Sequence, residues 1–181
     1  MPTTAPSALV IIDVQKAIDD PSWGRDRNNP DAEANIARLL ELWRARRWPL
    51  FHIRHVSRDP GSTYRDSPFK GEVAPLEGER VIEKSTNSAF IGTSLERELR
   101  ELGVSAVVII GVITNNSVEA TARMCGDLGF HSIVVRDATA TFGRRDYDGV
   151  WRTAAEVHAM SLANLEGEYA SIMSTEEILR A

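Results

Sequence analysis

Short, unbroken apolar runs that alternate with stretches of helical periodicity leave this chain few folds to choose from. Ala8–Ile12 is apolar throughout and stops at Asp13. A run of that length without polar alternation reads as a strand covered on both faces, the mark of a parallel sheet. Asn29-Pro30 then opens a helix, with Asn29 as cap and Pro30 at the first helical position. Ala32, Ile36, Leu39, Leu40 and Trp43 form its apolar stripe. Arg44, Arg46 and Arg47 close it, where cations meet the negative end of the helix dipole. Pro49–Val56 is the second strand. Residues 57–79 carry Pro60, Gly61, Pro68, Gly71, Pro75 and Gly78, so they form a long loop, and long loops in compact domains are often functional.

The pattern continues to the C-terminus. Arg80–Glu83 is a short strand with Lys84 at its end. Thr93-Ser94-Leu95-Glu96 has the form of a capping box, and the helix it starts buries Leu95, Leu99 and Leu102 and stops at Gly103. Ala106–Ile110 is the most apolar strand. Gly111-Val112-Ile113-Thr114 makes a turn, and Asn115 or Asn116 caps a helix whose Val118, Ala122 and Cys125 face the core. Ser132–Val135 is a further strand. Val150, Ala154, Val157, Ser161 and Leu165 mark a long final helix, and Ala170–Met173 a last strand. Strands alternating with helices predict a three-layer α/β/α architecture: a Rossmann-like, mostly parallel six-stranded sheet with helices on both faces. A chain of 181 residues is expected to form it as one domain, 1–181.

Composition removes several function classes. The formal net charge is −5 and no basic stripe runs along the chain, so nucleic acid is not an expected partner. Apolar runs such as Val107–Ile110 are too short to span a bilayer, no leader-like N-terminus is evident, and a single cysteine, Cys125, excludes an internal disulfide. These features predict a cytoplasmic protein with no membrane partner.

In open α/β sheets, ligands bind beyond the carboxyl ends of the strands. Asp13, Lys84 and the Gly111–Ser117 turn each follow an apolar strand, so they should converge at one edge. Burial there raises a carboxylate's pKa unless a cation compensates, and Lys84 could supply that cation to Asp13. Ser117 falls in the first turn of a helix, where free N–H groups and the dipole favour negative charge. Singly, each residue has an ordinary reading: Asp13 begins a loop, Lys84 lies on the surface, Ser117 starts a helix. Trp23, Tyr64, Phe69 and Phe90 are loop aromatics that could wall a ring-sized small-molecule substrate, or simply pack their loops. Asn87 and Asn116 suit polar contacts but also turns or caps, and His55 suits either the pocket or the framework. His52 and His55, three apart on a strand, point to opposite faces, and His131 and His158 have no partner at ligand spacing. No metal and no cofactor are expected. Cys125 lies eight residues beyond Ser117, about 12 Å along the same helix, on the stripe that faces the core.

Three motifs carry a resemblance over nearly the whole chain. Leu9-Val10-Ile11-Ile12-Asp13-Val14-Gln15 resembles the opening motif of the isochorismatase-like, or cysteine hydrolase, superfamily. Glu83-Lys84-Ser85-Thr86-Asn87-Ser88-Ala89-Phe90, followed by Gly92-Thr93 and Leu95, resembles its lysine motif. Gly111 to Arg123, reading GVITNNSVEATAR, resembles its nucleophile motif. Phe51–Ser57 and Ser88–Thr93 look most like the streptothricin hydrolase-like and related amidase branch. The resemblance implies a triad of Asp, Lys and Cys at Asp13, Lys84 and residue 117. In that triad the Asp takes the thiol proton, the Lys stabilises charge and the Cys attacks an amide or imide carbonyl. It also implies a non-proline cis peptide at Val112–Ile113, aiming the Ile113 and Ser117 N–H groups at an oxyanion. Trp23, His55, Asn87, Phe90 and Asn116 are the expected substrate contacts, and a homodimer or homotetramer the expected assembly, with Trp43, Trp48 and Trp151 as a hint of buried interfaces.

The chain departs from the pattern at its centre, because the cysteine position holds Ser117. A serine hydroxyl is far harder to deprotonate than a thiol of pKa about 8.5, and no histidine lies in the three motifs to assist it. Ser117 is then an engineered replacement, the natural residue of a branch with altered or lost amidase activity, or a weak nucleophile. The implied activity is hydrolysis of a small amide or imide. The alternatives are a cysteine-independent vinyl-ether hydrolase of isochorismatase type with Asp13 as acid, and a ligand-binding member of the fold without catalysis.

Overall fold

The computed structural model describes residues 7–181. In chain order its elements are β1 (Ser7–Ile12), α1 (Ala32–Arg46), β2 (Leu50–His55), β3 (Arg80–Lys84), α2 (Leu95–Glu101), β4 (Ala106–Val112), α3 (Glu119–Asp127), β5 (His131–Ala140), β6 (Arg144–Arg145), β7 (Trp151–Arg152), α4 (Ala154–Leu165), β8 (Ser171–Met173) and α5 (Thr175–Arg180). Six strands form one sheet in the order β3-β2-β1-β4-β5-β8, and every neighbouring pair is parallel. β6 and β7 form a separate antiparallel hairpin.

The two-residue period of the strands sorts their side chains into two cores. Ala8, Val10, Ile12, Phe51, Ile53, Val107 and Ile109 meet Leu95, Leu99, Ala122, Cys125, Leu162 and Leu165 of α2, α3 and α4. Leu9, Ile11, Val108 and Ile110 face the other way, onto Ile36, Leu39, Leu40 and Trp43 of α1 and Ile178 of α5. Full burial of such side chains stabilises by roughly 1.5–3 kcal/mol each, which is why the central strands tolerate no polar alternation. The three-layer parallel architecture is the one the alternating pattern predicts. Strand order reverses beside β1: β2 and β3 extend to one side, and β4 follows on the other. A crevice therefore opens at the carboxyl ends of β1 and β4.

Several local expectations are corrected. Asn29 does not cap α1, which starts at Ala32 after Asp31. Asn29 instead adopts φ +46°, and its Nδ2 donates to the carbonyls of Arg136 (2.7 Å) and Thr139 (2.6 Å), tying the loop to β5. No capping box forms at Ser94. Its hydroxyl donates to Glu98 Oε1 at 2.6 Å, and Leu102 sits at the exposed end of the helix. β4 runs past Ile110 to Val112, so Gly111 belongs to the strand rather than to a turn. Gly111 has φ +119°, and a Cβ there would collide with the Ile12 backbone oxygen. Neither Asn115 nor Asn116 caps a helix, because Thr114–Val118 is a single π-helical turn leading into α3. The last long helix begins at Ala154 behind a Thr153–Glu156 capping box, leaving Val150 half exposed before β7. α5 was not expected. Trp43 is a core residue packed edge-on to Trp48, which weakens it as a hint of an interface; Trp151 is half exposed.

Candidate active site

The crevice between β1 and β4 gathers the expected trio. Asp13 directly follows β1 at φ +53°, a conformation that a short polar side chain tolerates better than most. Lys84 is the last residue of β3, where Ile82 and Lys84 point inward and their neighbours face solvent. Ser117 lies in the π-helical turn after β4. The peptide bond Val112–Ile113 is cis, at the position the resemblance implies. All three side chains are buried.

Lys84 is the hub. Its Nζ donates to Asp13 Oδ2 at 2.6 Å and to the Thr86 carbonyl at 3.0 Å, and it lies 3.3 Å from both Ser117 Oγ and His55 Nδ1. An ammonium has three protons for these four neighbours, so the weaker contacts to Ser117 and His55 share what the first two leave. Asp13 Oδ1 has no hydrogen-bond partner among the described residues. Burial pushes the Asp13 carboxyl up to about 6, although the Lys84 charge pulls it the other way. Burial lowers the Lys84 ammonium and Asp13 partly restores it. Burial and the Lys84 charge both hold the His55 ring below its ordinary range. His55 is therefore a neutral imidazole at pH 7, with Nδ1 accepting from Lys84.

A cavity of about 130 Å³ opens onto Asp13 and Ser117, lined also by Trp23, His55, Tyr64, Asn87, Ile113 and Asn116, with Lys84 buried behind the two. Of the expected substrate contacts, Trp23, His55, Asn87 and Asn116 are there. Phe90 is not: it is buried in the core and stacks on Phe130, because the chain after Lys84 folds inward over α2. Phe69 packs on His52 instead of the mouth. Tyr64 takes a wall of the cavity, its ring edge-on to His55 (5.2 Å) and Trp23 (6.3 Å). Trp23 is locked by stacking on Phe142 and by an Nε1 bond to the Ala17 carbonyl.

Two supporting residues escaped the sequence reading. Gln15 is fully buried; its amide accepts from His55 N at 2.8 Å and donates to the carbonyls of His55 and Ser67. It pins the end of β2 and the long loop to β1. Ser161 on α4 donates to Glu119 Oε2 at 2.6 Å and to the Thr114 carbonyl at 3.3 Å, holding the Thr114–Val118 turn from behind. Gln15 lies within the opening motif, but nothing in its spacing marks it as internal. Cys125 is in the core, its thiol pushed up to about 12 by burial. His52 is buried against Glu79, well away from His55's cavity, and no cluster of three or more potential metal ligands occurs among the described residues.

Fold and site together define a doubly wound α/β protein with an acid, an amine and a hydroxyl at the sheet's carboxyl edge. The Isochorismatase domain model matches residues 7–177, and the chain belongs to the isochorismatase family. It is 44% identical to the isochorismatase family protein YrdC of Bacillus subtilis, covering 95% of this chain and 94% of that one. The crystal structure of an isochorismatase-family protein from Chromobacterium violaceum matches with TM-score 0.95 and 53% identity, over 100% of this chain and 95% of the other. The family's hydrolases include amidases. Nicotinamidase 3 of Arabidopsis thaliana is 28% identical over 99% of this chain and 90% of its own length.

Proposed function

We propose that this hydrolase acts on an amide or imide C–N bond of a small molecule, with Asp13, Lys84 and Ser117 as its catalytic residues. The observation that carries the reading is Lys84 Nζ, in contact with both Asp13 Oδ2 and Ser117 Oγ, the two residues that it holds at the wall of the cavity. Ser117 Oγ attacks the carbonyl carbon while its proton passes to Asp13. The oxygen of the tetrahedral adduct faces the Ile113 and Ser117 N–H groups. Collapse breaks the C–N bond, and the leaving nitrogen takes the proton from Asp13. Water, giving its proton to Asp13, then releases the acid and restores Ser117. Lys84 offsets the negative charge throughout.

A carboxyl of pKa about 6 is a poor base for a serine hydroxyl, so Ser117 makes this route slow compared with a thiol. The same pKa favours a second reading, in which protonated Asp13 acts as acid in vinyl-ether hydrolysis. The two differ in sign. With Asp13 as base, kcat/KM rises with pH through about 6 and then levels; with Asp13 as acid, it falls through the same range. Asp13→Asn abolishes turnover under both, and an Asp13→Asn protein of undiminished activity would sink both.

The motif stretches Phe51–Ser57 and Ser88–Thr93 support a place in the streptothricin hydrolase-like branch. The proposal extends to a cytoplasmic, single-domain protein assembled as a homodimer or homotetramer, for which family resemblance is the support. Sedimentation showing a 20.0 kDa species alone would count against that assembly.

A further inference from the structure

We infer that the cavity beside Ser117 selects a small, uncharged amide or imide no larger than a single ring, and that the Tyr64 hydroxyl is a specificity-determining donor to it. The inference rests on the hydrolytic reading of this site and adds the class of substrate.

Size comes first. The cavity holds about 130 Å³. An engineered protein cavity of about 150 Å³ holds one benzene, whereas drug-sized ligands occupy about 300–1,000 Å³. One five- or six-membered ring fills the available space. The walls that set this limit are fixed ones: Trp23 is clamped between Phe142, Tyr64 and the Ala17 carbonyl, and Gln15 anchors His55.

Charge comes second. No arginine lines the cavity, and His55 is an uncharged imidazole. The one ammonium within reach, Lys84, already neutralises Asp13 at 2.6 Å. A carboxylate on the substrate would lose its water and find no free cation, a costly exchange. A cationic substrate would meet the free Asp13 Oδ1, but the Lys84 ammonium 2.6 Å from the same carboxylate leaves little net negative charge to hold it. The electrostatics therefore suit a neutral molecule.

Hydrogen bonding comes third. Tyr64 lines the cavity, and burial together with the Asp13 charge pushes its ionisation far above neutrality, so its hydroxyl remains a donor. The side-chain amides of Asn87 and Asn116 offer both donor and acceptor atoms to the same space. A –CO–NH–CO– or –CO–NH– edge presents the matching acceptors and donor. Ring opening of an imide adds the oxygen of water to one carbonyl carbon and leaves the nitrogen, with its protons, on the other. The product carries a carboxylate, which this cavity does not hold, so its release follows from the same electrostatics.

The test is calorimetric binding at pH 7 of succinimide, of its ring-opened anion succinamate, and of the two-ring phthalimide, to the protein and to Tyr64→Phe. Succinimide is expected to bind at least tenfold tighter than either comparator, and Tyr64→Phe to weaken it about two- to tenfold, the worth of one hydrogen bond. Succinamate or phthalimide binding as well as succinimide, or none of the three binding, overturns the substrate class. An unchanged succinimide affinity in Tyr64→Phe overturns the role of Tyr64. Hydrolysis by the protein and by Ser117→Cys is followed in parallel. Selective binding with no ring opening by either form defeats the hydrolase reading and leaves the selectivity standing. Cleavage of succinamate in preference to succinimide leaves the hydrolase reading standing and defeats the class.

Discussion

At the scale of the residue, Asp13 and Lys84 are one unit. Each is buried, and each is held by the other at 2.6 Å. Removing one partner of a buried pair strands the other charge and costs about 3–5 kcal/mol, whereas replacing both by apolar or neutral groups is often close to neutral. Lys84→Met, which strands the Asp13 carboxylate, is expected to lose stability in that range, and Asp13→Asn less, because burial already disfavours the carboxylate. The double variant should lose clearly less than the sum, as urea unfolding of all four forms would read out. Additive losses would show that the pair is not coupled. Titration of Asp13 has its own sign. Its folded pKa, about 6, lies above its unfolded value, so the folded state holds the proton more tightly. The contribution of this group is fully present below about pH 4 and is lost as pH rises through about 6. Asp13 thus opposes stability at the pH where the proposed amide hydrolysis needs its carboxylate, a cost that a catalytic role would explain.

At the scale of the element, the site depends on how closely β1 and β4 approach. Gly111 has no room for a side chain because the Ile12 backbone oxygen occupies the space, and its φ of +119° is one that L residues avoid. Gly111→Ala is expected to cost about 2–3 kcal/mol and to displace the Ile113–Ser117 turn. Thermal unfolding with wild-type stability would show that the strands can separate at no cost. The same region shows what sequence patterns convey and what they omit. The apolar runs announced β1 and β4, and with them the edge where Asp13 and Ser117 meet, because burial on both faces leaves a continuous signature. Turn details were less legible. Asn29, Ser94, Asn115 and Asn116 are all residues that favour caps, yet Asn29 and Asn115 spend their side chains on tertiary partners, Ser94 on the Glu98 carboxylate one turn on, and Asn116 faces the cavity. Phe90 and Tyr64 were alike as loop aromatics in sequence. The path of two loops sent one into the core and the other onto the cavity wall.

At the scale of the whole molecule, the doubly wound sheet brings together groups from residues 13, 84 and 117, and its strand reversal at β1 makes the crevice they share. Long-range assembly of that kind was legible once three strand ends were recognised. The supports were not: Gln15 and Ser161 act through backbone carbonyls and loop contacts that no local spacing encodes. The central claim is that the chain is built for attack on an amide carbonyl from position 117. It is tested most directly by measuring hydrolysis of small cyclic imides, nicotinamide and isochorismate by this protein beside Ser117→Cys. The account predicts that the cysteine form turns over a small neutral amide or imide at least tenfold faster than the serine form. A serine form that is already active, with no gain from cysteine, would contradict covalent attack from this position and shift the chemistry to Asp13 acting as an acid.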